Sequence, residues 1–150
     1  MNASERAGEV FAAGCNCAQS VFLGCAGALP EPSDLSEDQM LRVASCFGGG
    51  MSHTDHACGA LTGGLMALGA AEGMRVRGDA ATKQRSADLG ARFVHAFRDR
   101  HGSTRCTELI GYNLAEPEEA AAAKRAGVFS ERCAKIVKES AQLVERLLME

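Results

Sequence analysis

Residues 57–71 read Ala57-Cys58-Gly59-Ala60-Leu61-Thr62-Gly63-Gly64-Leu65-Met66-Ala67-Leu68-Gly69-Ala70-Ala71, fifteen positions without a charged side chain. A helix that crosses a membrane needs about 20 apolar residues, so this stretch predicts a buried core helix instead of a membrane span. Its glycines, among them Gly59 and Gly63 at a spacing of four, let a second backbone approach closely. The stretch therefore predicts a fold built around one glycine-rich helix that packs tightly against another helix.

The sequence on both sides of this core helix also has a helical pattern. Candidate caps precede apolar residues at helical spacing, and they are Ser4, Asn16, Ser36, Asp79 and Ser130. Aromatic residues make up only 5% of the chain, which is unusual for a domain built from sheets. The 150 residues have room for one ordinary domain. We therefore predict an all-α single domain over residues 1–150, a bundle of about six to seven helices.

The charge balance limits the classes of partner. Sixteen basic and nineteen acidic side chains give a net charge of -3. Binding to nucleic acid needs a clustered basic face, so this balance argues against a nucleic-acid partner. The first fifteen residues include Glu5, Arg6 and Glu9 and lack the apolar run of a secretory signal. We therefore expect a cytoplasmic protein, in a reducing compartment where permanent disulfides are disfavoured.

Seven cysteines are many for such a chain, and an odd number cannot all pair within one molecule. Four of them follow a predicted helix cap within three residues, and these are Cys17, Cys58, Cys106 and Cys133, after Asn16, Asp55, Ser103 and Ser130. The first turn of a helix offers free N–H groups and the positive end of the helix dipole, which stabilise a thiolate. We therefore predict that these four cysteines converge on one redox-active or metal-binding site, with Cys58 the most reactive.

The spacing of the cysteines limits the chemistry of that site. Cys15 and Cys17 form a C-x-C pair and no C-x-x-C occurs, which excludes a thioredoxin-type dithiol and a zinc ribbon with two close pairs. Four thiolates brought together by folding suit an iron–sulfur cluster, copper(I) or zinc, whereas two suffice for a reversible disulfide. Cys25 shares the helical face of Cys17, and the roles of Cys15, Cys25 and Cys46 stay open.

Two histidines and a glycine run lie just before the core helix. His53 and His56 can serve as metal ligands or in proton transfer beside a thiolate, or they can be ordinary loop residues. Gly48, Gly49 and Gly50 break the preceding helix and can form a backbone cradle for an anion or a cluster. The run lacks the Lys and Ser/Thr of a phosphate-binding loop.

Five short elements of the chain resemble the C_GCAxxG_C_C family of redox-active proteins over about residues 6–148. They are Asn16-Cys17-Ala18-Gln19, Phe47-Gly48-Gly49-Gly50-Met51, Cys58-Gly59-Ala60-Leu61-Thr62-Gly63, Cys106-Thr107-Glu108-Leu109-Ile110-Gly111 and the late Cys133. The resemblance implies that the four recurring cysteines of the family correspond to Cys17, Cys58, Cys106 and Cys133. It also implies a redox role, often for proteins encoded near transporters. A similar domain in split-Soret cytochromes is associated with an iron–sulfur centre and a dimer.

Together these features favour a binding or electron-transfer protein with a thiolate-ligated centre, an iron–sulfur cluster first and copper or zinc next. The ligands would be Cys17, Cys58, Cys106 and Cys133, with His53 and His56 as further candidates and Gly48, Gly49 and Gly50 around the bound group. The chain has no C-x-x-C-H, so covalent haem is excluded. Two alternatives stay open: a thiol–disulfide oxidoreductase that cycles one cysteine pair, and a transporter-linked accessory protein whose cysteines only pack. The expected partners are a second copy of the chain and a redox partner.

Overall fold

A computed structural model describes residues 1–29 and 34–150, and every long element in this part of the chain is a helix. The helices are α1 (Ala3–Ala12), α2 (Cys17–Gly24), α3 (Glu37–Ala44), α4 (Gly48–Met51), α5 (Gly59–Glu72), α6 (Ala80–His101), α7 (Cys106–Ile110), α8 (Pro117–Arg125) and α9 (Ala134–Leu148). A 3₁₀ turn, Ala26–Ala28, follows α2, and a π-helical segment, Phe129–Cys133, leads into α9. The predicted all-α fold is confirmed, with seven helices of eight or more residues in the described ranges.

Local capping signals explain where several helices begin. Asn2, Asn16 and Ser36 each accept a hydrogen bond from the backbone N–H three residues on, and the side chain at that third position accepts one from the N–H of the cap. Asp79 accepts a hydrogen bond from the first turn of α6. The predicted caps Asn16, Ser36 and Asp79 are confirmed. The first helix is capped by Asn2 and not by Ser4, because Asn2 has the reciprocal partner three residues later.

The glycine-rich helix α5 lies at the centre of the bundle and packs against α2, α6 and α9. Its contact with α2 is so close that a Cβ on Gly63 would lie 2.9 Å from the Cα of Ala18. A Cβ on Gly59 would lie 3.0 Å from the backbone nitrogen of Ala18. Towards α6, a Cβ on Gly64 would lie 2.7 Å from a ring carbon of Phe93. The prediction of a buried core helix with a close-packed glycine face is therefore confirmed.

Helices α6 and α9 complete the core around α5. Phe93 and Phe97 of α6 are fully buried, with ring centroids 6.1 Å apart. The buried hydroxyl of Ser140 in α9 donates a hydrogen bond to the carbonyl oxygen of Ala60 in α5 at 2.7 Å, so this polar group is satisfied. Across residues 1–29 and 34–150, no helix combines the length and apolar character needed to span a bilayer. The core therefore fixes the position of α5 relative to α9. A candidate site cysteine directly precedes each of these helices, Cys58 before α5 and Cys133 before α9.

Candidate functional site

All four predicted site cysteines line one cavity of about 200 Å³. Cys17 is partly exposed, whereas Cys58, Cys106 and Cys133 are buried. The remaining lining is mostly apolar and consists of Phe11, Ile110, Leu114, Phe129 and Ile136, completed by Asn16, Gly49, His53 and Gly59. Because the four cysteines come from four separate elements, only the tertiary fold brings them to the same cavity.

Cys17 is positioned by the reciprocal cap at the start of α2. Oδ1 of Asn16 accepts a hydrogen bond from the Gln19 N–H at 2.8 Å, and Oε1 of Gln19 accepts one from the Asn16 N–H at 2.9 Å. The two side-chain amides also donate to the end of α3, from Asn16 to the Ser45 carbonyl at 3.1 Å and from Gln19 to the Leu41 carbonyl at 2.9 Å. Cys17 therefore lies in a first helical turn, as predicted, and its cap ties α2 to α3.

Cys58 and Cys106 are placed side by side by a short antiparallel pairing of two loops. The Cys58 N–H donates to the Thr104 carbonyl at 2.8 Å, and the Cys106 N–H donates to the His56 carbonyl at 3.0 Å, around a single bridge. Cys58 is the N-cap residue of α5, and Cys106 is the first residue of α7. The pairing therefore fixes the spacing of these two cysteines through their own backbone amides.

A polar clamp next to this pairing holds the same two loops together. The Asp55 carboxylate accepts hydrogen bonds from the Arg105 guanidinium at 2.6 Å and from the Thr107 hydroxyl at 2.5 Å. These hydrogen bonds, first from Thr107 and then from Arg105, hold the pKa of Asp55 below its usual range. The prediction that Asp55 caps the core helix is wrong, because its carboxylate is engaged by residues 50 and 52 positions away.

Cys133 is the last residue of the π-helical segment that continues directly into α9. Its own backbone is helical, and the Ser130 hydroxyl donates back to the Gly127 carbonyl at 3.2 Å instead of capping a new helix. The predicted first-turn position is therefore wrong for Cys133. The guanidinium of Arg132 donates to the Ile110 carbonyl at 3.2 Å and holds this segment against α7.

The four thiols differ in acidity. Burial raises the pKa of Cys58 to about 11 and that of Cys106 to about 12. A hydrogen bond between the thiols of Cys17 and Cys133 raises the pKa of Cys17 and lowers that of Cys133, and the charge of Arg132 lowers the latter further. Among the four cavity thiols these shifts favour the thiolate form at Cys133 over Cys58. The prediction that Cys58 is the most reactive of them stays a prediction.

The two candidate histidines are placed differently. His53 lines the cysteine cavity. Both histidines are exposed, and Nδ1 of His56 lies 2.9 Å from the hydroxyl of Thr54. Of the two, His53 is the one whose position allows contact with a group bound among the cysteines.

The glycine run opens a left-handed turn beside the cavity. Five consecutive residues have a positive φ between 62° and 77°, and these are Gly49, Gly50, Met51, Ser52 and His53. This conformation costs roughly 1–2 kcal/mol for each residue that is not glycine. A Cβ on Gly50 would also lie 2.8 Å from the Cβ of Cys106, and one on Gly48 would lie 2.5 Å from the side chain of Asn16. The run therefore lets the backbone approach two of the cysteine-bearing elements, and Gly49 itself lines the cavity.

A family model described as "Putative redox-active protein (C_GCAxxG_C_C)" matches residues 15–147. The chain belongs to this family. The matched residues include all four cysteines around the cavity. The segment of this C_GCAxxG_C_C protein that matches a family described as redox-active therefore contains the candidate site. Neither a curated protein nor a solved structure matches the chain.

The other three cysteines of this C_GCAxxG_C_C protein have different surroundings. Cys25 is fully buried, its thiol lies 3.9 Å from the Ala141 carbonyl of α9, and burial raises its pKa to about 12. Cys46 is exposed and Cys15 is partly exposed. The position of Cys25 between α2 and α9 is that of a packing residue.

The cavity was not fully predictable from the sequence of this C_GCAxxG_C_C protein. The apolar wall of Phe129 and Ile136 has no local motif. Arg132, whose charge lowers the pKa of Cys133, has one signal in the sequence: it directly precedes that cysteine. Among residues 1–29 and 34–150, no group of three or more His, Cys, Asp or Glu side chains is arranged to hold a metal ion.

Proposed function

We propose that the four cysteines form one redox site that holds an iron–sulfur cluster for electron transfer. The observation that carries this proposal is that Cys17, Cys58, Cys106 and Cys133 come from four separate elements and line the same cavity. Four cysteine thiolates are the usual ligand set of [2Fe–2S] and [4Fe–4S] clusters. Packing alone gives no reason for four cysteines from distant parts of the chain to meet.

The size of the cavity favours a cluster over a single copper or zinc ion. About 200 Å³ corresponds to several water molecules, at roughly 30 Å³ of liquid volume for each. A single ion occupies less space than one water molecule. The site is therefore better suited to a group of several atoms held from four sides.

The residues around the cavity would bind such a group and shield it. The pKa of Cys58 and of Cys106 is raised by burial, so these thiols keep their protons in the empty site and release them when metal binds. Arg132 and the N–H groups at the start of α2 offset the negative charge of the thiolates. Phe11 and Phe129 exclude water. When bound, an iron–sulfur cluster supplies one-electron transfer.

The test is anaerobic purification and reconstitution with Fe²⁺ and sulfide, followed by visible absorbance and measurement of iron and sulfide per chain. Each serine variant of the four cavity cysteines is expected to lower the retained iron. Cys46→Ser is the matched control, because Cys46 is exposed, and it is expected to retain iron as the wild type does. Protein that binds no iron, or that binds it equally in all variants, would contradict the proposal.

A reversible disulfide between Cys17 and Cys133 is the second candidate function. Both thiols line the same cavity, and each shifts the pKa of the other, that of Cys17 upwards and that of Cys133 downwards, which favours this pair. The Cys133 thiolate would attack one sulfur of a small disulfide and release one thiolate, which takes up a proton. Cys17 would then lose its proton and attack the mixed disulfide at Cys133, releasing the second thiol. The protein thereby loses two electrons and two protons, and the small disulfide becomes two thiols.

Thiol titration of metal-free protein separates this candidate from the cluster. Treatment with a small disulfide is expected to remove two titratable thiols, which a reductant then restores. Cys17→Ser and Cys133→Ser are each expected to abolish this change, whereas Cys46→Ser leaves the cavity pair intact. A disulfide mapped by peptide mass spectrometry to any other pair would contradict the assignment.

A further inference from the structure

A second hollow, of about 300 Å³, lies next to the cysteine cavity, and we call it the entry groove. It is lined by Asn16, Ser45, Gly48, Gly49, Ser52 and His53. Three of these residues, Asn16, Gly49 and His53, also line the cysteine cavity. These three residues form a shared wall, so the entry groove and the cysteine cavity adjoin each other there.

The left-handed turn holds His53 at this shared wall. The His53 N–H donates to the Gly49 carbonyl at 3.2 Å, and a Cβ on Gly49 would lie 2.6 Å from Nε2 of the imidazole. The ring therefore packs over the space that a side chain at position 49 would fill. The positive φ of Met51 and Ser52 is what turns the chain back far enough for this contact. Strained backbone of this kind persists where the surroundings determine it, often at functional sites.

The entry groove presents no charged side chain among its described lining residues. Its two hydroxyl donors are already engaged: the Ser45 hydroxyl donates to the Leu41 carbonyl at 2.7 Å, and the Ser52 hydroxyl donates to the Cys46 carbonyl at 2.6 Å. The amide of Asn16 donates to the Ser45 carbonyl. Among the side chains described in the lining, this leaves the imidazole of His53 as the one polar group without a hydrogen bond. Because a fully ionic group needs compensating charge and several donors, and one imidazole supplies at most two, the groove suits small neutral molecules.

We propose that small neutral molecules reach the four cysteines through the entry groove, and that the imidazole of His53 sets the largest size that passes. This inference rests on the proposed redox site, since it supplies the route by which a small neutral reactant would meet the thiols. A cysteine of another protein is a poor fit for this route, because Cys58, Cys106 and Cys133 are buried.

The experiment is alkylation of reduced, chelator-treated protein with two neutral reagents of different size, iodoacetamide and N-benzylmaleimide. With iodoacetamide a sulfur–carbon bond forms, iodide leaves and the thiol proton passes to the buffer. Peptide mass spectrometry at low conversion gives the rate at each cysteine, with the exposed Cys46 as internal reference. His53→Ala is expected to speed labelling of the cavity cysteines by N-benzylmaleimide about tenfold, which corresponds to a barrier lower by about 1.4 kcal/mol. Iodoacetamide labelling is expected to change little.

His53→Leu is the matched control, because it restores the bulk of the side chain without a titrating ring. Its labelling rates are expected to match those of the wild type. Equal rates in the wild type and His53→Ala would overturn the proposal, and so would a His53→Leu variant as fast as His53→Ala. An acceleration that includes the fully buried Cys25 would show general loosening of the core and would also overturn it. Since the protein is metal-free, failure to bind iron would contradict the proposed function alone.

Discussion

Replacing Gly63 by alanine tests the close contact between α5 and α2. The added Cβ would lie 2.9 Å from the Cα of Ala18 and closer still to its carbonyl oxygen, whereas ordinary contacts begin at 3.4 Å. The two helices must therefore separate by at least 0.5 Å at this point. Overpacking of this kind costs about 1–3 kcal/mol. Alanine in place of glycine within a helix returns about 1 kcal/mol through helix propensity, so the overpacking term must be measured against a control.

Gly69→Ala is that control, because position 69 lies on the same helix and its Cβ would meet nothing within 4 Å. Both variants gain the same helix propensity, so the difference between their unfolding free energies is the overpacking term, about 1–3 kcal/mol. For a domain of this size that difference lowers the midpoint of thermal unfolding by about 2–12 °C. Chemical and thermal denaturation followed by far-UV circular dichroism measures it. A Gly63→Ala protein as stable as Gly69→Ala would refute the argument.

Three further predictions concern the clamp, one buried histidine and the left-handed turn. Asp55→Ala removes the carboxylate that holds Arg105, and hydrogen exchange of the paired loop amides beside it is expected to become faster. Burial lowers the pKa of His101 from 6.5, so the unfolded chain takes up this proton first and the unfolding free energy is expected to fall as pH drops below about 6.5. His101→Gln should flatten that part of the stability profile relative to the exposed control His95→Gln. Met51→Gly relieves one left-handed φ at a partly exposed side chain and is expected to raise the unfolding free energy by about 1 kcal/mol.

Features with local causes were predictable from the sequence. The cap at Asn16 depends on a partner three residues away, so the pattern itself contains both members of the interaction. The uncharged run from 57 to 71 likewise indicates a buried helix, because charged side chains are excluded from a helix that is surrounded by others. The four cavity cysteines were found because three of them do lie at or next to the start of a helix, at Cys17, Cys58 and Cys106.

Features with distant causes were not predictable. Asp55 resembles a helix cap in sequence, but its hydrogen-bond partners, Arg105 and Thr107, lie at the start of α7, 50 or more positions later. Cys133 follows a serine in the spacing of a cap, yet the helix has already begun in the π-helical segment, so no free N–H groups are there to be capped. The lowered pKa of Cys133 likewise has no signal in the local sequence, because it depends on Cys17, which is far away in sequence.

The left-handed turn at residues 49–53 is a segment whose backbone conformation lowers the stability of the fold. Met51, Ser52 and His53 together hold an unfavourable conformation that costs roughly 3–6 kcal/mol, a large share of the 5–15 kcal/mol of a typical domain. Nothing in the core needs this turn, since its residues are mostly exposed. The turn instead brings Gly50 against Cys106 and the His53 ring over Gly49, both at the edge of the cysteine cavity. The strain is therefore concentrated where access to the thiols is decided, while the glycine contact of α5 with α2 fixes the cysteines themselves.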